Sequence, residues 1–442
     1  MEVSMQEILD ARERRVFKQN ELLSRFPKPL LCFTMNIAGP VKNSPLITEG
    51  FRLGQRLLEA QLSGACIHVL HWEESISSTG CEGFYVVDHD PQSLKKLAVQ
   101  MEDSMPVCRL FDMDVLDADG RKLSRENLGL PGRTCLICGG PVHICSRSRA
   151  HSLNELQTKT TALLREAIWQ QKAERIGALA AKSLLYEVCT TPKPGLVDRR
   201  NNGSHRDMDL FTFMASSAAL QPYFVKCALT GLQTKNESAA VTFEAIRLWG
   251  KQAEQTMYTA TGGINTHKGA IFTLGLLCAA TGRSNSTDAA EICREVAAMT
   301  QGLTNRDFCS KEATTGQKLY TRYGITGIRG QAEAGFPALT QVGLPVLEAG
   351  LSRGLSLEEA GCAALLHLMC AITDTNLIAR SDLDTQKEIC GKIRILLDAD
   401  PFPSRRTLET LDEEFIQKNL SPGGSADLLA ATYFLHFAKT DL

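Results

Sequence analysis

The spacing of apolar and polar positions divides the chain into two regions of different character. In the first, short apolar stretches alternate with segments of helical periodicity. Ser4, with Glu7 three residues later, predicts a capping box that opens a helix. Residues 30–37 form a short apolar strand candidate, and residues 45–62 carry helical spacing. Residues 66–71 and 83–88, rich in Val, Ile, Tyr and Phe, predict two more strands. Asp90 is placed to cap a helix with Pro91 at its first position, running to about Ser104. A strand over residues 107–116 follows, and Asp119-Gly120 supplies a turn after it. The order α-β-α-β-β-α-β predicts an α+β domain.

From about His151 onward the pattern is helical throughout. Long runs rich in Ala, Leu, Glu and Lys cover residues 153–189, 210–229, 242–260, 270–280, 289–299, 357–372, 385–397 and 426–437, broken by Gly and Pro clusters. No segment there has a period of two, so the second region reads as one large all-α, bundle-like domain. The helical pattern begins near residue 152 without a Gly/Ser linker, and the division is placed at 1–169 and 170–442.

Composition narrows the function classes. At roughly 100–200 residues per domain, 442 residues predict two or three domains. A formal net charge of −2 leaves no global polycation for nucleic acid, so phosphate binding has to come from local clusters. The charged N-terminal stretch is unlike a signal peptide, and no apolar run reaches the roughly 18 residues that span a bilayer. The 15 cysteines are an odd number in a long chain without an export signal, which predicts a reduced, cytoplasmic protein.

Three segments of the first region carry candidate chemistry. In Arg109-Leu-Phe-Asp112-Met-Asp114-Val-Leu-Asp117, strand alternation turns Phe111, Met113 and Val115 to one face and Asp112 and Asp114 to the other. The two carboxylates are then about 6.6 Å apart along the strand. Such a pair repels unless a cation sits between them, and magnesium accepts these ligands together with substrate phosphates. A solvated strand face leading into a turn is the plainer alternative. The second segment, Asn36-Ile-Ala-Gly39-Pro-Val-Lys42-Asn43-Ser44-Pro45, joins a strand to a helix. Gly39 permits close backbone approach, Lys42 supplies charge and the following helix start supplies N–H groups, which suits a polyphosphate as well as an ordinary β-to-α loop. The third is Cys135-Leu-Ile-Cys138 followed by Cys145-Ser-Arg147-Ser-Arg149-Ala-His151. It could form a Cys₃His zinc site, although a second C-x-x-C is absent, and Arg147 and Arg149 could grip phosphates or form a solvated turn.

N-I-A-G-P-V-K-N, R-L-F-D-M-D-V-L-D-A-D-G and R-T-C-L-I-C…C-S-R-S-R-A-H, in that order, resemble the apo-citrate lyase phosphoribosyl-dephospho-CoA transferases, the CitX family, over about residues 10–165. The resemblance implies a nucleotidyltransferase-like domain that moves a phosphoribosyl-dephospho-CoA unit from its triphosphate form to a serine of the citrate lyase acyl carrier protein (gamma subunit), releasing pyrophosphate. By it, Asp112 and Asp114 hold the metal. Gly39, Lys42, Arg147 and Arg149 are the candidate phosphate contacts.

In the second region, polar loops punctuate the apolar helices. Thr191-Pro-Lys193-Pro-Gly195-Leu-Val-Asp198-Arg199 continues to Gly203-Ser-His205-Arg206-Asp207-Met-Asp209, a shaped loop dense in both charge signs. Thr261-Gly-Gly-Ile-Asn265-Thr-His267-Lys268-Gly269 stands at a helix start and suits an anion. Gly327-Ile-Arg329-Gly330, Asp374-Thr-Asn376 and Ser421-Pro-Gly423-Gly424-Ser425-Ala-Asp427 complete the set. Each alone reads as capping or packing, or as a salt-bridge network; five in one bundle could converge at one end.

These loops in this order resemble the triphosphoribosyl-dephospho-CoA synthases, the CitG family, over roughly residues 170–440. The resemblance implies condensation of ATP with 3′-dephospho-CoA and expulsion of adenine, a glycosyl transfer at the ATP ribose. On that basis Asp207 and Asp209 are assigned to metal or cation stabilisation, and Lys193 and Lys268 to the triphosphate. His205 or Asp198 is the candidate base, and Asn265, His267, Arg329, Asp374, Asn376, Gly423, Gly424 and Ser425 line the nucleotide. Magnesium is the expected cofactor; no nucleic acid or membrane partner is expected. The same chemistry on a malonate decarboxylase carrier, and a non-catalytic zinc-stapled helical adaptor, are the alternative readings.

Overall fold

The computed structural model describes residues 2–308 and 315–442. It separates into two compact units, Met1–Gln170 and Gln171–Leu442, and the division falls inside the helix Leu153–Cys189.

The first unit comprises α1 (Met5–Arg25), β1 (Leu30–Met35), α2 (Pro45–Gly64), β2 (His68–Ser77), β3 (Gly80–Asp88), α3 (Pro91–Ser104), β4 (Phe111–Leu116), β5 (Lys122–Leu123), α4 (Val142–Ser148) and the start of α5 (Leu153–Cys189). The local signals act as chemistry dictates. Ser4 and Glu7 form both halves of the capping box on α1, and Asp90 accepts from the Ser93 N–H at 2.7 Å at the start of α3. One sheet forms, in the order β2-β3-β1-β4-β5, with every pairing antiparallel.

Two differences from the sequence expectation have plain causes. The strand expected from residue 107 starts at Phe111, because Val107–Leu110 is a 3-10 turn set off by the helical φ of Pro106. The strand expected at 66–71 extends to Ser77; it lies at the sheet edge, where Glu73, Glu74, Ser75 and Ser77 pair with β3 although their side chains are polar.

The sheet has two unlike faces. Leu31, Phe33, Tyr85, Val87, Phe111, Met113 and Val115 meet α2, α3 and the start of α5 in the main core. On the opposite face, Leu30, Cys32, Phe84, Val86 and Leu116 pack on Leu22 of α1. Asp112 and Asp114 share that second face, in register with Thr34 and Cys32 of β1.

The second unit continues α5 and adds α6 (Leu210–Gln233), α7 (Ala239–Ala260), α8 (Lys268–Ser284), α9 (Ala289–Thr300), α10 (Leu303–Phe308), α11 (Thr315–Tyr323), α12 (Gly327–Glu333), α13 (Leu344–Ser352), α14 (Leu357–Ala371), α15 (Thr375–Arg380), α16 (Leu383–Ala399), α17 (Arg405–Gln417) and α18 (Gly423–Asp441). Among the described residues this unit has no strand. α8, α14 and α18 are buried on nearly every side and form its centre. α6 and α8 approach backbone to backbone: a Cβ on Gly231 would lie 2.0 Å from the Ala279 carbonyl oxygen. Helix α17 carries no long apolar run, yet it buries Leu408, Leu411, Asp412 and Phe415 at helical spacing. No helix of the described residues is long and apolar enough to cross a membrane.

Candidate active sites

In the first unit, the site is built by the exposed margin of β4. β5 is only two residues long and pairs with Val115 and Leu116, so the backbone of β4 before them lacks a strand partner on that side. Charged side chains take that place. The Met113 N–H donates to Glu102 Oε1 at 2.8 Å, Lys95 Nζ donates to the Met113 carbonyl at 2.7 Å, and Arg133 Nη2 donates to the Phe111 carbonyl at 2.7 Å. Glu102 is buried and pairs with Arg125 at 2.6 Å and Arg133 at 2.5 Å. This frame brings cations to both aspartates: Arg133 stands 3.4 Å from Asp112 and Lys122 stands 2.6 Å from Asp114.

The electrostatics of the pair fit a divalent cation. Burial, and then the charge of Asp114, push the Asp112 carboxyl above its ordinary range, against the pull of Arg133. Burial pulls Lys95 below its usual range, the Glu102 charge opposing it. Two carboxylates on one strand face, one of them hard to ionise, make a place where added positive charge is strongly favoured. Asp117 acts on the backbone instead. Its Oδ1 accepts from the N–H groups of Asp119 and Arg121 and shapes the turn.

Lys95, Glu102, Arg125 and Arg133 escaped the sequence reading. The available signal was a Lys and a Glu seven residues apart among Leu94, Ala98 and Met101 on the inward side of α3. Among the contacts that were expected, Gly39 has a φ of +93°, and the group that approaches it closely is the Gln157 side chain, which a Cβ there would strike at 2.5 Å. Lys42 folds onto its own loop and donates to the Ile37 carbonyl at 2.6 Å; burial, and then Arg12, hold it below its usual range. Arg147 and Arg149 are exposed, on and just after α4.

In the second unit, the loop after α5 is organised by buried carboxylates. Asp198 Oδ2 accepts from Thr191 Oγ1 at 2.6 Å and from the Lys193 N–H at 2.9 Å, while Oδ1 accepts from the N–H groups of Arg200 and Asn201. Asp412 of α17 accepts from the Gly195 N–H and from Asn201 Nδ2. Lys193 is fully buried and its ammonium is ion-paired with Glu187 of α5, also donating to the Glu187 carbonyl at 2.7 Å. Burial raises the Glu187 carboxyl, with Lys193 opposing. Lys193→Met, which leaves Glu187 buried alone, is expected to cost about 3–5 kcal/mol of stability. The double change with Glu187→Met should recover most of that loss; urea unfolding of the four members of the cycle measures it.

Around this pair the loops of four other segments meet. His267, at the start of α8, is buried; its Nδ1 bonds Ser216 Oγ of α6 at 2.7 Å, and Nε2 is buried without a hydrogen-bond partner. Burial, and then the nearby Lys193 charge, push its pKa down to about 3, so the ring is neutral. Asp374 caps α15, accepting from Asn376 and Leu377, and also accepts from Gly424, Ser425 N–H and Ser425 Oγ at the start of α18. It therefore pins two helix starts together. A Cβ on Gly423 would lie 2.8 Å from Asn376 Nδ2, and Gly327 at the start of α12 abuts Thr375.

The residue that this convergence exposes is Asp427, one turn into α18. Its carboxylate lies over Gly269, where a Cβ would stand 1.9 Å from Oδ2, and it is half-buried. Burial and the charges of Glu187 and Asp374 raise it well above the ordinary carboxylate range, opposed by a hydrogen bond from the Ala270 backbone. Among the described residues no cationic side chain pairs with it. Its signal in the sequence was an Asp inside an otherwise apolar helix, three residues past a Gly-Gly pair.

The remaining candidates sit in supporting positions. His205 Nε2 bonds Ser421 Oγ at 2.9 Å, and Arg380 Nη2 donates to Nδ1 at 3.0 Å. Burial and Arg380 push its pKa down to about 4, so its one acceptor nitrogen is already engaged. Asp209 caps α6, with Oδ1 accepting from the Thr212 N–H at 2.8 Å and from Thr212 Oγ1 at 2.7 Å; these bonds lower its carboxyl. Asp207 is exposed. Asn265 caps α8 through the Lys268 N–H, Lys268 pairs with Glu254 at 2.9 Å, and Arg329 pairs with Asp307 at 2.8 Å.

Comparison with known proteins gives both units a family. The family model described as ATP:dephospho-CoA triphosphoribosyl transferase (CitG) matches residues 173–441, and that described as apo-citrate lyase phosphoribosyl-dephospho-CoA transferase (CitX) matches residues 3–167. A protein of Haemophilus influenzae called Protein CitXG is 37% identical over 456 residues, covering 98% of this chain and 96% of its own length. Its namesake in Leuconostoc mesenteroides subsp. cremoris is 32% identical over 458 residues, covering 98% and 97%. A 2-(5''-triphosphoribosyl)-3'-dephosphocoenzyme-A synthase of Pectobacterium atrosepticum is 43% identical over 267 residues, covering 59% of this chain and 88% of its own. The chain therefore belongs to the CitXG family, with a CitX domain followed by a CitG domain.

Proposed function

We propose that this chain makes 2'-(5''-triphosphoribosyl)-3'-dephospho-CoA from ATP and 3'-dephospho-CoA in its second unit, and in its first unit transfers the phosphoribosyl-dephospho-CoA group to the citrate lyase acyl carrier protein. The observation that carries this is the presence of both transferase families end to end in one chain, in relatives aligned over nearly their full length. The first-unit family is named for apo-citrate lyase, which favours that carrier over the malonate decarboxylase one.

In the second unit, the bond from C1 of the ATP ribose to adenine breaks, and a bond to the 2′-hydroxyl oxygen of dephospho-CoA forms. The hydroxyl proton leaves to a base, and adenine departs protonated. Charge develops positively on the ribose, so carboxylates rather than cations are needed beside C1. Asp427, without a cationic partner and crowded by Glu187 and Asp374, suits that place better than the capping carboxylate of Asp209, because positive charge at the ribose would favour its ionised form. Asp207 remains available to a metal, and the exposed Lys268 would exchange its pairing with Glu254 for the triphosphate.

The first unit is read as nucleotidyltransferase-like. The carrier serine attacks the phosphorus next to the ribose, and pyrophosphate leaves. Asp112 and Asp114 would hold magnesium, which supplies charge neutralisation on the leaving oxygens when bound. Arg133 and Lys122 hold the two carboxylates in place, and Arg147 and Arg149 are available to the polyphosphate. One reaction keeps the triphosphate intact and the other cleaves it, which argues for two separate sites. Incubation of the protein with ATP and dephospho-CoA tests the reading: free adenine should accumulate, and only when dephospho-CoA is present. ADP or AMP in its place would sink the reading of the second unit.

A further inference from the structure

The segment between β5 and α5 has almost no apolar core to hold it. α4 buries none of its residues, and Val142 and Ile144 are 39% and 56% exposed. Yet the segment is folded tightly. Thr134 and Pro141 form an antiparallel bridge, Cys135 N–H donates to the Gly140 carbonyl at 2.6 Å, and Gly139 N–H donates to the Cys135 carbonyl at 3.0 Å. Cys135 and Cys138 lie at the tip of this hairpin. α4 then delivers Cys145, and Arg149, with a φ of +49°, ends that helix and turns the chain back to His151.

Four ligand atoms converge there. One atom from each of Cys135, Cys138, Cys145 and His151 lies within 4.8 Å of all the others, and the Cys138 and Cys145 sulfurs are 3.5 Å apart. A tetrahedral zinc with sulfur at about 2.3 Å separates its ligand atoms by about 3.5–3.8 Å. Two further features point to a bound ion. His151 Nε2 is buried with no hydrogen-bond partner. The backbone N–H groups of Ile137 and Cys138 are directed at the Cys135 sulfur, an arrangement that stabilises a thiolate ligand.

We propose that Cys135, Cys138, Cys145 and His151 bind one zinc ion as a closed structural Cys₃His site. The ion replaces the missing apolar core of the segment. Its effect reaches the acidic pair through the hairpin: Arg133 accepts from the Val142 N–H through its carbonyl and presents its guanidinium to Asp112, while Arg109 donates to the carbonyls of Thr134 and Cys135. With all four positions taken by protein, the zinc binds no substrate; it positions Arg133.

Metal analysis of the full chain, purified under reductant, should find one zinc per chain. Replacement by cobalt should give the visible and charge-transfer bands of a tetrahedral ion with three thiolates. Cys138→Ser and Cys145→Ser should each lose the zinc and open residues 129–151 to proteolysis, while adenine release by the second unit continues and shows that the chain is folded. Absence of zinc and cobalt binding after reconstitution would overturn the proposal. So would full zinc retention in both serine variants, an octahedral cobalt spectrum, or a Cys138–Cys145 disulfide in the reduced preparation.

Discussion

Asparagine at either Asp112 or Asp114 is expected to lower transfer to the carrier protein by at least about 100-fold, the scale of losing one charge-stabilising group at a reacting centre. Adenine release by the same chain should be unchanged. Stability should not fall with activity. Burial and Asp114 raise the Asp112 carboxyl, so the folded state holds this proton more tightly than the unfolded chain does. The stabilisation linked to such a group is fully present below its unfolded pKa and is lost as pH rises through the folded value. At neutral pH the ionised carboxylate therefore opposes folding, and Asp112→Asn removes that cost along with the 3.4 Å contact to Arg133. The melting temperature at neutral pH should stay level or rise. Magnesium should raise it in the unaltered protein and in neither variant. Wild-type transfer rates in both variants would remove the metal assignment.

Asp427→Asn is expected to reduce adenine release by about 100-fold or more, since a neutral amide cannot balance positive charge at the ribose. The carboxylate pairs with no cation and is raised well above its ordinary range, so the amide should fold as well as the acid. Formation of holo-carrier from ATP and dephospho-CoA should stop with it. Supplying the purified triphosphoribosyl intermediate should restore transfer in full, because the first unit needs the product of the second and not its activity. The same bypass is expected for Asp207→Ala. Normal adenine release by the Asp427 variant would return the role to the 207–209 segment. A failed bypass, with zinc and magnesium binding intact, would mean that transfer requires a working second unit.

We propose that the fusion serves local concentration. An intermediate made and consumed on one chain would meet its next site at an effective concentration set by the covalent link rather than by bulk dilution, without any new contact. Separately produced domains, mixed with ATP, dephospho-CoA, magnesium and apo-carrier, would be slower at low protein concentration for the same reason.

Much of this architecture was legible from local pattern. Caps at Ser4 and Asp90, the alternation at Phe111–Leu116 and the long amphipathic runs each act over a few residues, where backbone geometry alone decides the outcome. The polar edge of β2 was not, because its pairing with the adjacent β3 is made by the backbone and leaves no apolar alternation to read. The charged helix α17 was not either, because its few apolar residues are buried against segments distant in the chain, as Phe415 is against Gly195. The facing of Asp112 and Asp114 away from the core followed from strand alternation. Their setting did not: the two-residue length of β5 leaves backbone groups of β4 open, and Glu102, Lys95 and Arg133 come from 11 to 22 residues away to satisfy them.

The same division runs through the second unit. Motif order was enough to find the loops, and each loop's small and polar residues announced a helix start. Only the packed bundle shows which of these side chains are spent on caps and ion pairs. Asp209, Asp374 and Asn265 spend carboxylate or amide oxygens on helix N–H groups, and Lys193 spends its charge on Glu187. Asp427 accepts from the Ala270 backbone at the start of α8 but has no cationic partner among the described residues, and its neighbours Glu187 and Asp374 are brought to it from 240 and 53 residues away by the packing of α5 and α15 against α18. A side chain's type and its neighbours within a turn are written in the sequence, because they are covalently close. Its charge partners and its depth from solvent are set by the fold, because burial and Coulomb interaction depend on distance through space.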